Sequence, residues 1–172
     1  MSDTDIIKNL FGAIEYGDLE SVKFLLDHGA DIHADNDYAI RFATKNGHLE
    51  IVKLLLDRGA NINADDGYAL RFATKNGQLE VVKFLLDRGV NIDTQDKNGW
   101  TPLHFNVERR NLEGAKLLLS YGANIDIQDA IGRTPLHRSA RFRNLGIAKL
   151  LLEYGADTEI KDVNGHTPDQ VS

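Results

Sequence analysis

Five glycines set the frame of this chain. Each closes a leucine-rich stretch, at Gly29, Gly59, Gly89, Gly122 and Gly155, with successive spacings of 30, 30, 33 and 33 residues. Residues 31–60 match residues 61–90 at 21 of 30 positions, the mark of a tandem duplication. A period of this length means that one small helical or hairpin unit is repeated. Such a unit exposes an apolar face that it buries only by stacking on its neighbours. The chain is therefore constrained to a one-dimensional array before any single element is assigned.

Each unit reads as two helices and a turn. In residues 101–122, Thr101 and Pro102 open a first helix: a hydroxyl at the N-cap, then a proline where its missing N–H costs nothing. That helix stops near Arg110. Asn111 caps a second helix, Leu112 to Tyr121, and Gly122 ends it by entering the left-handed region. The second helices repeat one apolar face, as Val22, Leu25, Leu26, then Val52, Leu55, Leu56, then Val82, Leu85, Leu86. Charges such as Glu50, Lys53 and Asp57 fall on the other side.

Composition narrows the function classes. The chain has 172 residues, 42% of them hydrophobic and 27% charged, with a net charge of -6, so a real core sits under an acidic surface. That charge argues against whole-surface binding to nucleic acid or to an anionic membrane. With no cysteine, disulfides, thiolate nucleophiles and cysteine-ligated metals are excluded. Met1 to Leu10 is polar and acidic (Asp3, Asp5) and lacks the basic and apolar blocks of a signal peptide. Apolar runs such as Leu117-Leu118-Leu119 are too short to span a bilayer. The expected location is the cytoplasm, or a host cytosol if the chain is exported by a signal-less route.

The segments Gly99-Trp100-Thr101-Pro102-Leu103-His104 and Gly132-Arg133-Thr134-Pro135-Leu136-His137 resemble the signature of the ankyrin repeat. So do the Gly-Ala-Asn-Ile tails at 59–62 and 122–125 and the run Gly47-His48-Leu49-Glu50. The resemblance covers nearly the whole chain. It implies an all-α ankyrin-repeat solenoid of stacked helix-turn-helix units with β-hairpin fingers, forming one domain over 1–172. The units fall at approximately 1–30, 31–60, 61–93, 94–126 and 127–159, with a half unit at 160–172. The Asp-Tyr-Ala-Ile-Arg variant at 37–41 resembles repeats common in large DNA viruses and intracellular bacteria. The function implied is a monomeric, non-enzymatic protein-protein interaction module. It binds a partner protein through a concave face and the fingers, with no cofactor, metal, small-molecule substrate or membrane.

This copy departs from the family pattern in ways that can be placed. From Asn61 to Arg71 there are 11 residues, but from Asn91 to His104 there are 14. The deficit lies in the finger, so 33–38 and 63–68 are expected to make short turns, with full fingers near Lys97-Asn98 and Ala130-Ile131. Arg41 and Arg71 stand where the signature histidine belongs, and Tyr38 and Tyr68 near the threonine, with their polar ends expected to reach solvent. Arg110 and Arg143 occupy the interhelical position held elsewhere by Gly17, Gly47 and Gly77. If that turn needs a positive φ, each arginine costs about 1 kcal/mol. Asn164 to Pro168 starts a further unit, read either as a minimal cap or as the start of more repeats.

The polar residues read mainly as structure. His104 and His137 sit three residues after a threonine at a helix start, a pair that in the family stabilises the turn. No histidine pair has zinc-finger spacing with partner ligands. Asp65, Asp96, Asp129 and Asp162 precede the finger turns, and Glu50, Glu80 and Glu113 lie at helix starts, where carboxylates are favoured for local reasons. No residue is assigned a catalytic or cofactor-binding role. The family's contact positions in the full-fingered half carry Lys97, Asn98, Trp100, Glu108, Arg109, Ile131, Arg133, Arg141 and Phe142, expected to form the partner site. Aromatic and arginine residues are enriched at interface cores, and Trp100 is the anchor candidate. The alternative for Trp100 is that it packs flat on a neighbouring finger. A basic row of Lys45, Lys75, Arg109 and Arg141 supports a second reading, a nucleic-acid- or polyanion-associated protein.

Overall fold

A computed structural model describes the backbone of residues 3–170 and the side chains of all these except Asp3, Asp65 and Asp66, so the role expected of Asp65 lies outside the described side chains. The chain is a stack of paired helices divided into two compact units, residues 1–90 and 91–172. The first holds α1 (Asp3–Tyr16), α2 (Leu19–Asp27), α3 (Ala34–Asn46), α4 (Leu49–Asp57), α5 (Ala64–Lys75) and α6 (Leu79–Asp87). The second holds α7 (Pro102–Arg109), α8 (Leu112–Ser120), α9 (Pro135–Arg141), α10 (Leu145–Glu153) and a closing 3-10 turn, Pro168–Gln170. No residue in the described backbone is in a β-strand. The expected hairpin fingers are tight turns without a ladder.

In the first unit, α1, α3 and α5 pack side by side, and α2, α4 and α6 form the second layer. The periodic apolar positions meet between them. Leu10, Ile14, Val22, Ile40, Val52, Leu55, Leu70 and Leu85 have essentially no exposed surface. Burying one such side chain contributes roughly 1.5–3 kcal/mol. Along the outer edge, Arg58 pairs with Asp27 at 2.7 Å and Arg88 with Asp57 at 3.4 Å. These exposed pairs repeat at the 30-residue period and add little stability.

The clipped segments contain no hairpin. After Asn63, α5 starts at Ala64 without a finger. The start of α3 is a left-handed turn, with Asp35, Asn36 and Asp37 at φ of 52°, 54° and 57°. Asn and Asp are the non-glycine residues that enter this region most readily. Arg41 closes the turn: its Nε donates to the Asn36 carbonyl and its Nη2 to the Asp35 carbonyl, both at 2.9 Å. Arg41 is half-buried, so its end stays partly open to solvent, as expected, while it makes these bonds. Its guanidinium satisfies carbonyls that the missing finger leaves behind, and it lies 6.0 Å from the Tyr38 ring centre and 5.3 Å from that of Tyr68.

Gly17 and Gly47 end first helices with φ of 72° and 78°. Close approach requires glycine here as well. A Cβ on Gly17 would sit 2.8 Å from the His48 ring, and one on Gly47 would collide with the Gln78 side chain. At these two positions a side chain of the following repeat rests on bare backbone, whereas the equivalent Gly77 has open space around it. Arg110 and Arg143 adopt the same left-handed conformation, at φ of 55° and 49°.

In the second unit each turn closes on an aspartate. Asp96 Oδ1 accepts from the backbone N–H of Asn98 (2.8 Å) and Trp100 (3.0 Å). Asp129 Oδ1 accepts from Ile131 (3.0 Å) and Arg133 (2.9 Å), and Asp162 Oδ1 from Asn164 (2.9 Å) and His166 (3.1 Å). Successive turns are tied one period apart. Ala130 N–H donates to the Asn98 carbonyl, and Gln95 Nε2 donates to the carbonyls of Gly99 and Gln128. Thr101 and Thr134 cap α7 and α9 reciprocally with His104 and His137. Thr101 N–H donates to His104 Nδ1 (3.2 Å), which leaves Nε2–H to donate to the Arg133 carbonyl in the next turn (3.1 Å). This pattern needs the neutral ring. Burial, the largest influence, holds the His104 pKa below its ordinary value.

Two outcomes follow from this architecture. Arg143→Gly relieves a left-handed arginine, and the midpoint of chemical denaturation should rise by an amount equivalent to about 0.5–1 kcal/mol; an unchanged or lower midpoint contradicts the strain. For His104, the folded pKa lies below the unfolded value of about 6.5, so its contribution is present above that pH and fades as the pH falls through the depressed folded value. Urea midpoints measured at pH 7.5 and 5.5 should differ less in His104→Gln than in the unaltered chain. Equal differences would show that His104 does not set the acid sensitivity.

Candidate functional site

The expected site residues all lie in residues 91–172, on the turns and the first helices α7 and α9. Lys97 and Asn98 form the exposed tip of the turn closed by Asp96, and Ile131 is 42% exposed at the next tip. Glu108 and Arg109 are exposed in the last turn of α7. Arg141 is exposed at the end of α9, and Phe142, half-buried, caps that helix. The Phe142 carbonyl accepts from Arg110 Nη2 at 3.1 Å.

Trp100 is half-buried and held from several sides. Its backbone N–H is fixed by Asp96, and its ring lies 5.3 Å from Phe105 and 6.3 Å from His104, centre to centre. The Arg138 guanidinium from α9 stands 4.4 Å from its ring centre. Arg138 is itself anchored. Asp129 Oδ2, with a fully buried side chain, accepts from both Nε (2.9 Å) and Nη2 of Arg138. Burial raises the Asp129 pKa, but hydrogen bonds from the Arg133 backbone and the Arg138 side chain outweigh it and hold the carboxyl below its usual value. The pair is therefore ionised, and the indole rests on a fixed cation. Such a contact is worth roughly 0.5–2 kcal/mol, depending on desolvation. The tryptophan packs against Phe105 of its own helix and Arg138 of the next, and the residue is half-buried.

Arg133 plays a different part from the one expected. Its side chain is only 12% exposed, and Nε donates to Asp162 Oδ2 at 3.1 Å. It braces one turn against the next and offers little surface to a partner. Arg138, by contrast, was not singled out from sequence. The signal was present in the period: Phe42, Phe72 and Phe105 occupy the matching position, so a cation there breaks an aromatic pattern. The basic row is shared between the two units, with Lys45 and Lys75 on α3 and α5 and Arg109 and Arg141 on α7 and α9.

Among the described residues no group of three or more His, Asp or Glu side chains is arranged to hold a metal ion. No helix there is long and apolar enough to cross a membrane.

The sequence profile described as ankyrin repeats (3 copies) matches residues 10–96 and again residues 70–162. The fold is similar to the crystal structure of the ankyrin repeat domain of Bcl-3, described as a unique member of the IkappaB protein family. That similarity has a TM-score of 0.85 at 30% sequence identity, over 95% of this chain and 76% of that one. No curated protein matches the chain. The profile spans most of the repeats traced from the glycines, and the Thr-Pro-Leu-His caps and left-handed helix ends stand where that pattern requires them. The chain belongs to the ankyrin-repeat family, whose domains are in general protein-interaction modules.

Proposed function

We propose that the chain is a non-enzymatic module that binds a partner protein through the turns and first helices of residues 91–172, centred on Trp100. The observation that carries this reading is the support beneath the indole. A buried Asp129–Arg138 pair and the Asp96 turn fix Trp100, which as a residue is only half-buried. A preorganised aromatic loses little freedom on docking, which is how a rigid scaffold gains affinity. The same turns and first helices carry Lys97, Asn98, Glu108, Arg109, Ile131 and Arg141, exposed and mixed in character, as interface rims are. Arg133 belongs to the support and not to the contact surface.

A pull-down with mass spectrometry from the native cell type identifies the partner, and calorimetry on the purified pair then measures the site. Trp100→Ala should weaken binding by about 2 kcal/mol or more, roughly thirtyfold. It also removes packing against Phe105 and Arg138, so two exposed substitutions separate docking from stability: Ile131→Asp and Arg109→Glu should weaken binding with the melting midpoint unchanged. Lys45→Ala, outside this unit, should change affinity for that partner by less than about 0.5 kcal/mol. If Lys45→Ala is the damaging change and Trp100→Ala is silent, the partner does not dock here.

A further inference from the structure

We propose that the first helices of residues 1–90 carry a second docking surface, a ladder of aromatic rings edged by lysines. The occupant it fits is an acidic, proline-rich segment in the polyproline II conformation.

The ladder follows from the shortened turns. In the second unit Phe105 is covered by Trp100, which the full-length turn delivers, and it is only 7% exposed. The matching Phe42 and Phe72 follow turns three residues shorter and remain half-buried. Each is stacked on the tyrosine one helical turn earlier: Tyr38 on Phe42 at 4.8 Å and 16°, Tyr68 on Phe72 at 3.7 Å and 7°. Phe11 of α1 extends the row, 4.2 Å from Tyr38. Arg41 lies between the two tyrosines and is tied to the carbonyls of Asp35 and Asn36, so the rungs are held in place. Lys45 and Lys75 place ammonium groups 5.2 and 5.5 Å from the Phe42 and Phe72 ring centres, which gives the row a positive edge.

Spacing and charge select the occupant. α3 and α5 pack side by side, and because packed helices stand about 8–10 Å apart, the matching ring pairs and lysines are expected to recur at about that interval. A polyproline II helix has three residues per turn and rises 3.1 Å per residue, so it presents the same side about every 9.3 Å. An extended β-strand repeats its face about every 6.6–6.8 Å and drifts out of step with the rungs. Proline rings suit aromatic-lined grooves, and the preformed helix loses little entropy on binding. An acidic residue at every third position meets Lys45 and then Lys75. A nucleic-acid strand is disfavoured, because it brings a phosphate with every nucleotide, whereas the row offers one lysine on each of α3 and α5.

The test is fluorescence anisotropy of the whole chain with a labelled peptide of four Glu-Pro-Pro triplets. Saturable binding is expected. It should weaken at least about tenfold in Phe42→Ala/Phe72→Ala and in Lys45→Glu/Lys75→Glu, and stay unchanged in Trp100→Ala. A peptide of four Glu-Gly-Ser triplets, with the same charge and no preformed helix, should bind at least about tenfold more weakly, as should four Lys-Pro-Pro triplets. If the double phenylalanine variant fails to fold, the lysine variant, altered at the edge of the row, decides. The proposal is overturned if the Glu-Pro-Pro peptide does not saturate, if Glu-Gly-Ser or Lys-Pro-Pro binds equally, if Lys45→Glu/Lys75→Glu has no effect, or if a twelve-nucleotide oligouridylate binds more tightly. Loss of binding in Trp100→Ala alone would move the peptide to the other surface and also overturn it.

Discussion

The second helices of this chain are nine residues long and its first helices run from seven to fourteen. Isolated helices below about 12–15 residues are marginal in water, so nearly every element depends on burying its apolar face against a neighbour one period away. This dependence explains why Leu55, Leu85 and Leu118 are buried completely while Leu152, at the same register as the buried Leu86 and Leu119, is 50% exposed on the last helix. Polar contacts are arranged around that apolar stack. They fix register between neighbours and open or close each helix; the gain in stability comes mainly from the apolar contacts.

The two units treat the entry to a first helix differently. The start of a helix leaves backbone N–H groups without intrahelical partners. In the second unit threonine and histidine exchange hydrogen bonds there, and the far side of the histidine reaches the next turn. In the first unit Arg41 takes the histidine position and, as a donor, braces a left-handed turn through its carbonyls instead of capping the helix. A side effect of the shorter turn is that a phenylalanine otherwise roofed by a turn residue stands partly open.

Much of the fold was legible in the sequence, because it rests on period and caps. The helix pairs, the left-handed Arg110 and Arg143, the place of the missing residues and the Thr-His caps all follow from residue type at fixed offsets. The side-chain partnerships were less legible. Arg133 and Arg138 look equivalent as surface cations, yet one braces Asp162 and the other carries Trp100 on Asp129. Only the three-dimensional distance between successive turns sorts them. The bonds of Arg41 were hidden for a related reason: its partners are carbonyls, and the direction of a carbonyl depends on the turn conformation. For the proposed partner surface, the sequence picks out Trp100 by its place before the helix cap, and the structure adds the Asp129–Arg138 support beneath it.

Gly17 lies under His48 and Gly47 under Gln78, and Arg58 reaches Asp27 as Arg88 reaches Asp57. These contacts are unchanged by a shift of one unit, so a thirty-residue copy inserted between two such units meets correct neighbours on both sides at once. A slip during replication that adds or removes one copy therefore leaves a reading frame that still folds, with no compensating change elsewhere. The match of residues 31–60 to 61–90 at 21 of 30 positions is the kind of trace that such an event leaves behind. In such a lineage, the number of rungs becomes a heritable length polymorphism, open to selection in whole-unit steps.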